Sequence, residues 1–341
     1  MKSRRDFLTQ MAAAGTAVFL APALGCAKEK KQSIKVSPGE KTTPSKKARV
    51  VLVQCPGISS DGPALNRSAV RRMLEKGLCE LYGTDDTRAA LANWLRPVDT
   101  VGLKVNCMAG RQMCSHSELV EELVSLMGKM GLPRKQAIVF DRSDRDLQRG
   151  GFPIRTSGND YLCMGNDRAG FEKNVRVMPN GASRFSKVAT EKASALINIP
   201  VLKDHGLAGL TVALKNNFGL IHNPNKFHLN GCDPHVAEVN ALDFVQKKQR
   251  LVICDAFRVQ TNGGPAFNPA SADVFDGLLF ANDPVALDMV AWEILKGLRE
   301  KRSLPSLQKE NRPPVHILTS AKHGLGIADR ERIEFVKAKI L

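Results

Sequence analysis

Apolar positions recur along this chain with two alternating periods. "RVVLVQC" (49–55) is a short β-branched run, and "NRSAVRRMLEKGLCELYG" (66–83) places Val70, Met73, Leu74, Leu78 and Leu81 at helical spacing. "DTVGLKVNC" (99–107) is again strand-like. "SHSELVEELVSLMGKMG" (115–131) predicts a helix with Ser117 as N-cap and an end at Gly131. "QAIVFD" (136–141) returns to a strand. Strand, helix, strand at this spacing is the pattern of a βαβ unit with a right-handed crossover.

Residues 142–187 are rich in Gly and Arg with little periodicity, and predict a long irregular insertion with a short strand at "VRVMP" (175–179). Beyond it, "ASALINIPVL" (193–202) predicts a strand and 206–218 a helix. "DPHVAEVNALDFVQKK" (233–248) predicts a helix capped by Asp233 with Pro234 first, and "NDPVALDMVAWEILKG" (282–297) one capped in the same way by Asp283 and Pro284. "RLVICDAF" (250–257) and "PVHILTS" (314–320) predict strands. The expected fold is α/β: a mostly parallel sheet flanked by helices, with a long irregular insertion, forming a single domain over 48–341.

The N-terminus breaks the pattern. From Ser3, "SRRDFLTQMAAAGTAVFLAPALGCA" carries Arg4, Arg5, Phe7 and Leu8 ahead of a weakly apolar stretch from Met11 to Leu24. This resembles a twin-arginine (Tat) export signal, so 1–26 is expected to be an address read by the Tat translocase. The stretch is too short and too rich in Ala and Gly for a transmembrane span. Ala21-Pro22-Ala23 fits ordinary cleavage. Leu24-Gly25-Cys26 resembles a lipoprotein box, with Ala23 where that box prefers Leu, and Cys26 is the residue a membrane tether would use. Lys-rich 27–47, with Pro38 and Pro44, predicts a disordered linker. Such a chain would be periplasmic or exported, either released or anchored as a lipoprotein.

Charge and composition narrow the function. The 341 residues carry a formal charge of +16, of which residues 1–47 contribute +7, from ten Lys/Arg and three Asp/Glu. The remaining +9 is scattered, and aromatics are 5%, which argues against a surface that stacks nucleobases. Beyond Cys26, seven Cys remain, with no CxxC pair and no closely spaced ferredoxin run, so a ferredoxin-type iron–sulfur cluster is not encoded. Cys55, Cys107 and Cys254 each end an apolar run and read as small buried hydrophobes. "NCMAGRQMC" (106–114) gathers Cys107, Met108, Met113 and Cys114, a set that suits a soft metal or, more commonly, core sulfur beside a loop.

Three groups of polar residues interrupt apolar context. In "LKDHGLAGLTVALKNNFGLIHNP" (202–224), Lys203 and His205 follow a strand, Thr211 and Lys215 share a face of the predicted helix, and Asn216, Asn217 and Gly219 end it, Gly219 as a left-handed cap. Ligands of open α/β sheets bind at strand carboxyl ends, so an anionic ligand is expected there. "HNPNKFHLNGCDPH" (222–235) holds His222, His228, Cys232 and His235, all of zinc-ligand type, at spacings that match no named motif; a divalent metal is one use of them, substrate contact another. Asp288, inside the apolar "VALDMVAW", needs a cation or backbone donor, and Asp255 ends a strand. No dinucleotide, P-loop or nucleophile-elbow motif occurs.

"VGLKVN" (101–106), "ALINIPVLKDHGLAGLTVALKNNFG" (195–219), "LVICDAF" (251–257), "FANDPVALDMVA" (280–291) and "AKHGLG" (321–326) together resemble the blocks of domain of unknown function 362, over roughly 50–338. The most specific part comprises Lys203, His205, Thr211, Leu214, Lys215, Asn216, Phe218 and Gly219. The resemblance implies a place near redox or iron–sulfur biology, because members often carry ferredoxin modules or Tat signals. This chain lacks the module, and no reaction comes with the family. The residues themselves assign Lys203, His205, Lys215 and Asp288 to catalysis and Lys104, Asn106, Thr211, Asn216, Asn217 and Asp255 to ligand binding. The readings are an exported anion- or cofactor-binding enzyme, and alternatively a non-catalytic binding or assembly factor for a redox-protein partner.

Overall fold

The computed structural model describes residues 47–59 and 64–340. The twin-arginine pattern, Cys26 and almost all of the 27–47 linker lie outside the described residues. In chain order the strands are β1 (Ala48–Gln54), β2 (Val101–Lys104), β3 (Ala137–Asp141), β4 (Leu162–Gly165), β5 (Arg176–Met178), β6 (Gly181–Ser183), β7 (Ala195–Asn198), β8 (Val201–His205), β9 (Gly209–Thr211), β10 (Gln249–Gln260), β11 (Ala272–Ala281) and β12 (Ile333–Lys339). The helices are α1 (Arg67–Tyr82), α2 (Thr87–Ala92), α3 (Ser117–Gly128), α4 (Asp144–Arg149), α5 (Asn166–Ala169), α6 (Ala213–Asn216), α7 (His235–Asn240), α8 (Asp243–Lys248), α9 (Pro284–Lys301) and α10 (Val315–Lys322).

The main sheet runs β12-β1-β11-β10-β7-β2-β3-β4, with β8 continuing beside β10 and β9 folded back on β8. Pairings are parallel except those made by β11 and by β9. The fold is therefore the expected α/β type with a mixed, mostly parallel sheet. Alternation along each strand feeds a separate core on each face. Val51 and Val53, with Val101, Leu103 and Val139, pack under α1 and α3. Val50 and Leu52 lie on the face covered by α9 with Val285, Ala286, Val290 and Leu295, and Phe140 and Leu196 belong to the same core farther along the sheet. Among the described residues, no helix is long and apolar enough to cross a membrane.

Several local expectations are corrected. The stretch 206–218 is not one helix: β8 turns back into β9, and only Ala213–Asn216 is α-helical, followed by a 3-10 turn. The helical reading rested on Leu207, Leu210 and Leu214, yet Leu207 is 53% exposed in the hairpin turn. Gly209 makes that turn at φ +73°, where a Cβ would meet the Arg312 carbonyl at 2.2 Å.

Residues 314–320 form helix α10 rather than a strand: Val315 and Ile317 read as β-branched, but His316 and Ser320, four apart, share a buried face. The predicted 233–248 helix is two, and Asp233 caps neither, whereas Asp283 does cap α9 through Val285 N and Ala286 N. His116, not Ser117, is the N-cap of α3, which ends at Gly128. The 142–187 region is less irregular than expected. Its four-residue β4, too short to show a period, extends the main sheet, and β5–β6 forms a separate hairpin at the predicted short strand.

Candidate functional site

A cavity opens at the carboxyl ends of β2 and β3, closed on one side by β8, β9 and α6. Its volume, counting the mouth, is about 640 Å³, in the range of small-molecule sites. Eight sequence-predicted residues line it: Lys104, Asn106, Lys203, His205, Thr211, Lys215, Asn216 and His228. The hairpin explains the convergence. Lys203 and His205, two apart on a strand, share a face, and Thr211 stands directly across from Lys203 in register. Asp204 points to the opposite side.

The cavity's floor is internally satisfied. Lys104 Nζ donates to Asp141 Oδ1 at 2.7 Å, Val105 O at 2.6 Å and Asn216 Oδ1 at 3.2 Å, which uses all three of its donors. Gly219 is not the expected left-handed cap. It lies in the 3-10 turn, and a Cβ there would come within 2.7 Å of Lys104 Nζ, so glycine is what admits the lysine. Asn216 bridges Lys104, Asn106 and Asn198. Behind it, Asn217, Asn240, Asn198 and Gln249 complete a buried amide network. Such a network, fully paired, fixes side-chain positions. Asn217 therefore belongs to the support of the site rather than to its surface.

The cavity's wall is different. Lys203 is completely buried, and its Nζ donates to Asn106 Oδ1 at 3.0 Å. Lys215 Nζ lies 3.2 Å from His228 Nε2, neighbours the Cys232 thiol, and stands 3.9 Å above the Phe218 ring. Among the described residues, neither ammonium has a carboxylate within ion-pair distance. Burial pulls both lysines down to about 8. Thr211 Oγ1 is buried in the same wall without a hydrogen-bond partner.

The histidine tautomers follow from their partners. His228 Nδ1 faces Pro224 O at 2.9 Å, so it carries the proton and Nε2 accepts from Lys215. His205 Nδ1 accepts from Leu207 N and Ala208 N at 3.2 Å each, which leaves its proton on Nε2. Burial, then Lys215, pushes His205 down to about 2, so it is a neutral donor.

Other expected site residues lie elsewhere. Asp288 is fully buried outside the cavity and accepts from Ala213 N at 2.9 Å and Leu214 N at 3.1 Å. Its partner is the backbone, so it caps α6, the helix that bears Lys215 and Asn216, instead of touching a substrate. Burial pushes its carboxyl up to about 8. Asp255 binds His116 through both backbone N and Nδ1 at 2.8 Å, away from the cavity lining.

His222, His228, Cys232 and His235 do not converge into a ligand set. His222 packs edge-on against Phe171, His235 sits against Phe227 and Glu238, and Lys215 occupies the space by His228 and Cys232. Among the described residues, no group of three or more His, Cys, Asp or Glu is placed to hold a metal ion. The sequence reading missed Asp141, Arg142 and Asp146 in the lining, and gave Phe218 only as part of the family-like block. Asp141 carried a signal, since it ends strand β3 just as Lys104 ends β2.

Fold and site thus define an α/β protein with a lysine-rich cavity at the carboxyl edge of its sheet. The chain belongs to the family described as domain of unknown function (DUF362), whose model matches residues 101–293, including every lining residue from Lys104 to Pro265. No curated protein matches it. A solved structure of a protein from Thermotoga maritima is similar at 11% identity and a TM-score of 0.35, covering 71% of this chain. This chain spans 60% of that protein's length.

Proposed function

We propose that the cavity binds a small anion bearing a carboxylate or phosphate, and that Lys203 and Lys215 are its cationic contacts. The observation that carries this reading is the pair of buried ammonium groups left without carboxylates while Lys104, in the same cavity, has one. An unpaired buried charge costs several kcal/mol, and a bound anion would offset that cost. With Lys104 matched by Asp141 and Arg142 by Asp146, the two remaining lysines leave the lining net positive. Asn106, the His205 Nε2–H and the unpartnered Thr211 hydroxyl supply neutral hydrogen bonds beside them.

A lysine drawn down to about 8 also exchanges its proton near neutral pH, which suits acid–base work on the bound anion. The test is calorimetry with inorganic phosphate and with oxalate at neutral pH. Saturable binding is expected, weakened at least about tenfold (about 1.4 kcal/mol) in folded Lys203→Met and Lys215→Met proteins. Affinities unchanged in both variants would sink the reading.

We also propose export by the twin-arginine route, on the strength of Arg4, Arg5, Phe7 and the apolar stretch to Leu24. Full-length protein in a Tat-competent host should become protease-accessible after outer-membrane removal. The Arg4→Lys, Arg5→Lys double variant should stay protected. Equal accessibility of the two would refute the route.

A further inference from the structure

The segment beside the cavity, Asn106–Ser115, is closed on itself. Ser115 N donates to Asn106 O at 3.0 Å, and Asn106 N donates to Ser115 Oγ at 2.8 Å. Cys107 and Cys114 are the first residues inside this closure, so the backbone brings them opposite each other. A turn between them, Gly110 N to Cys107 O and Met113 N to Gly110 O, both 3.0 Å, fixes the rest of the loop. The two thiols are buried, at 0% and 2% exposure, and both lie against Gly150. Cys114 Sγ also reaches the carbonyls of Gly150 at 3.5 Å and Arg111 at 3.6 Å. Gly150 leaves space for the sulfurs: a Cβ there would stand 2.8 Å from Cys107 Sγ. Among the described cysteines, no other pair shows this arrangement.

The surroundings treat the two sulfurs differently. The neighbouring Cys107 thiol holds Cys114 below the usual thiol range against the effect of burial, with positive charge on His116 and Lys203 adding to it and Asp255 opposing it. Burial would lower His116, but Asp255 outweighs it and raises the imidazole to about 9, so it is cationic at neutral pH. Cys107 is pushed well up by burial. Of two neighbouring thiols, the one whose pKa is lowered is the better attacker and the one whose pKa is raised is the resolver.

We propose that Cys107 and Cys114 are a redox pair that cycles between dithiol and disulfide by exchange with an external disulfide. Cys114 loses its proton, and the resulting thiolate attacks one sulfur of the external disulfide, whose S–S bond breaks and releases one thiolate. Cys107 then loses its proton and attacks Cys114 Sγ, which forms the internal S–S bond and releases the second thiolate. The protein gives up two electrons and two protons, and the external disulfide is reduced to two thiols. The loop that joins the pair exposes Arg111 and Gln112, and its opening is the route by which an external disulfide would reach Cys114. Because Cys107 follows Asn106, the partner of Lys203, the pair sits one residue from the cavity wall. Its redox behaviour nonetheless does not depend on which ligand the cavity takes.

The test uses the full-length protein equilibrated in glutathione buffers of graded ratio. After acid quenching, free thiols are alkylated in denaturant and the peptides mapped by mass spectrometry. The expected result is a Cys107–Cys114 disulfide whose yield follows the glutathione ratio with two-electron dependence, and a glutathione adduct trapped on Cys114 in the Cys107→Ser variant. Both thiols staying alkylatable across the series would overturn the proposal, as would oxidation that links either one to a different cysteine. The wild-type mapping decides even where a serine variant fails to fold.

Discussion

The two faces of strand β8 carry the same kind of residue and treat it in opposite ways. On one face, Asp204 is completely buried and meets Arg312, Arg299 at 3.7 Å and the N–H of Gly264 at 2.9 Å. Arg299, itself 1% exposed, is completed by Glu310 at 2.8 Å and the carbonyls of Thr261 and Pro305. On the other face, Lys203 has an amide oxygen and no acid. One face is a finished ion network that holds the strand in place, and the other is an electrostatic deficit turned toward a cavity. Buried charge marks a site only where the protein has not neutralised it itself.

The largest effect should come from breaking the finished side. Asp204→Ala removes the buried acid shared by fully buried Arg299 and partly buried Arg312, leaves them Glu310 as their acid, and should cost about 3–5 kcal/mol of stability, read from denaturant midpoints. A loss below about 1 kcal/mol would erase the contrast between the faces. On the unfinished side the sign reverses. Lys203→Met removes an unpaired buried cation, so its midpoint should rise, by about 1–3 kcal/mol, even as phosphate binding is lost. A drop in stability as large as that of Asp204→Ala would mean that Lys203 is structural.

The smallest effect is in pH. Folded-state values near 8, against an ordinary 10.5, mean that the native protein binds fewer protons than the unfolded chain between those limits. The cost of the two buried charges is fully present below about 8 and is relieved as pH rises toward 10.5. Wild type should therefore gain stability relative to the Lys203→Met, Lys215→Met double variant across that window, while its affinity for phosphate falls. Calorimetry and denaturation at matched pH values would show both trends. Parallel curves for the two proteins would remove the lysine assignment.

Much of the fold was legible because long elements repeat their pattern. Helices α1, α3 and α9 and the strands beside them announce themselves through residues such as Val70, Met73 and Leu74, or Val285 and Asp283. Short elements do not. Four-residue β4 shows no period, and the β8–β9 hairpin imitates a helix because Leu207, Leu210 and Leu214 fall at helical spacing by coincidence. That error left the placement of Lys203 and His205 unchanged, since they lie at a strand end under either reading. Thr211 joined them for a different reason from the one expected, across a hairpin and not along a helix.

By itself, the sequence determined the α/β alternation, the family and a set of polar residues too costly to bury without partners. Desolvation is a local penalty that any apolar stretch reveals. The partners themselves came only from tertiary structure. Asp288 took backbone N–H groups, Asp255 took His116, and the four zinc-type residues 222, 228, 232 and 235 were drawn apart by Phe171, Lys215 and Glu238. Lys203 and Lys215 received no acid at all. Which buried charges are completed by the chain, and which are left for a ligand, depends on contacts between residues far apart in the chain, 108 positions for Arg312 with Asp204 and 139 for His116 with Asp255. No local pattern encodes that distance.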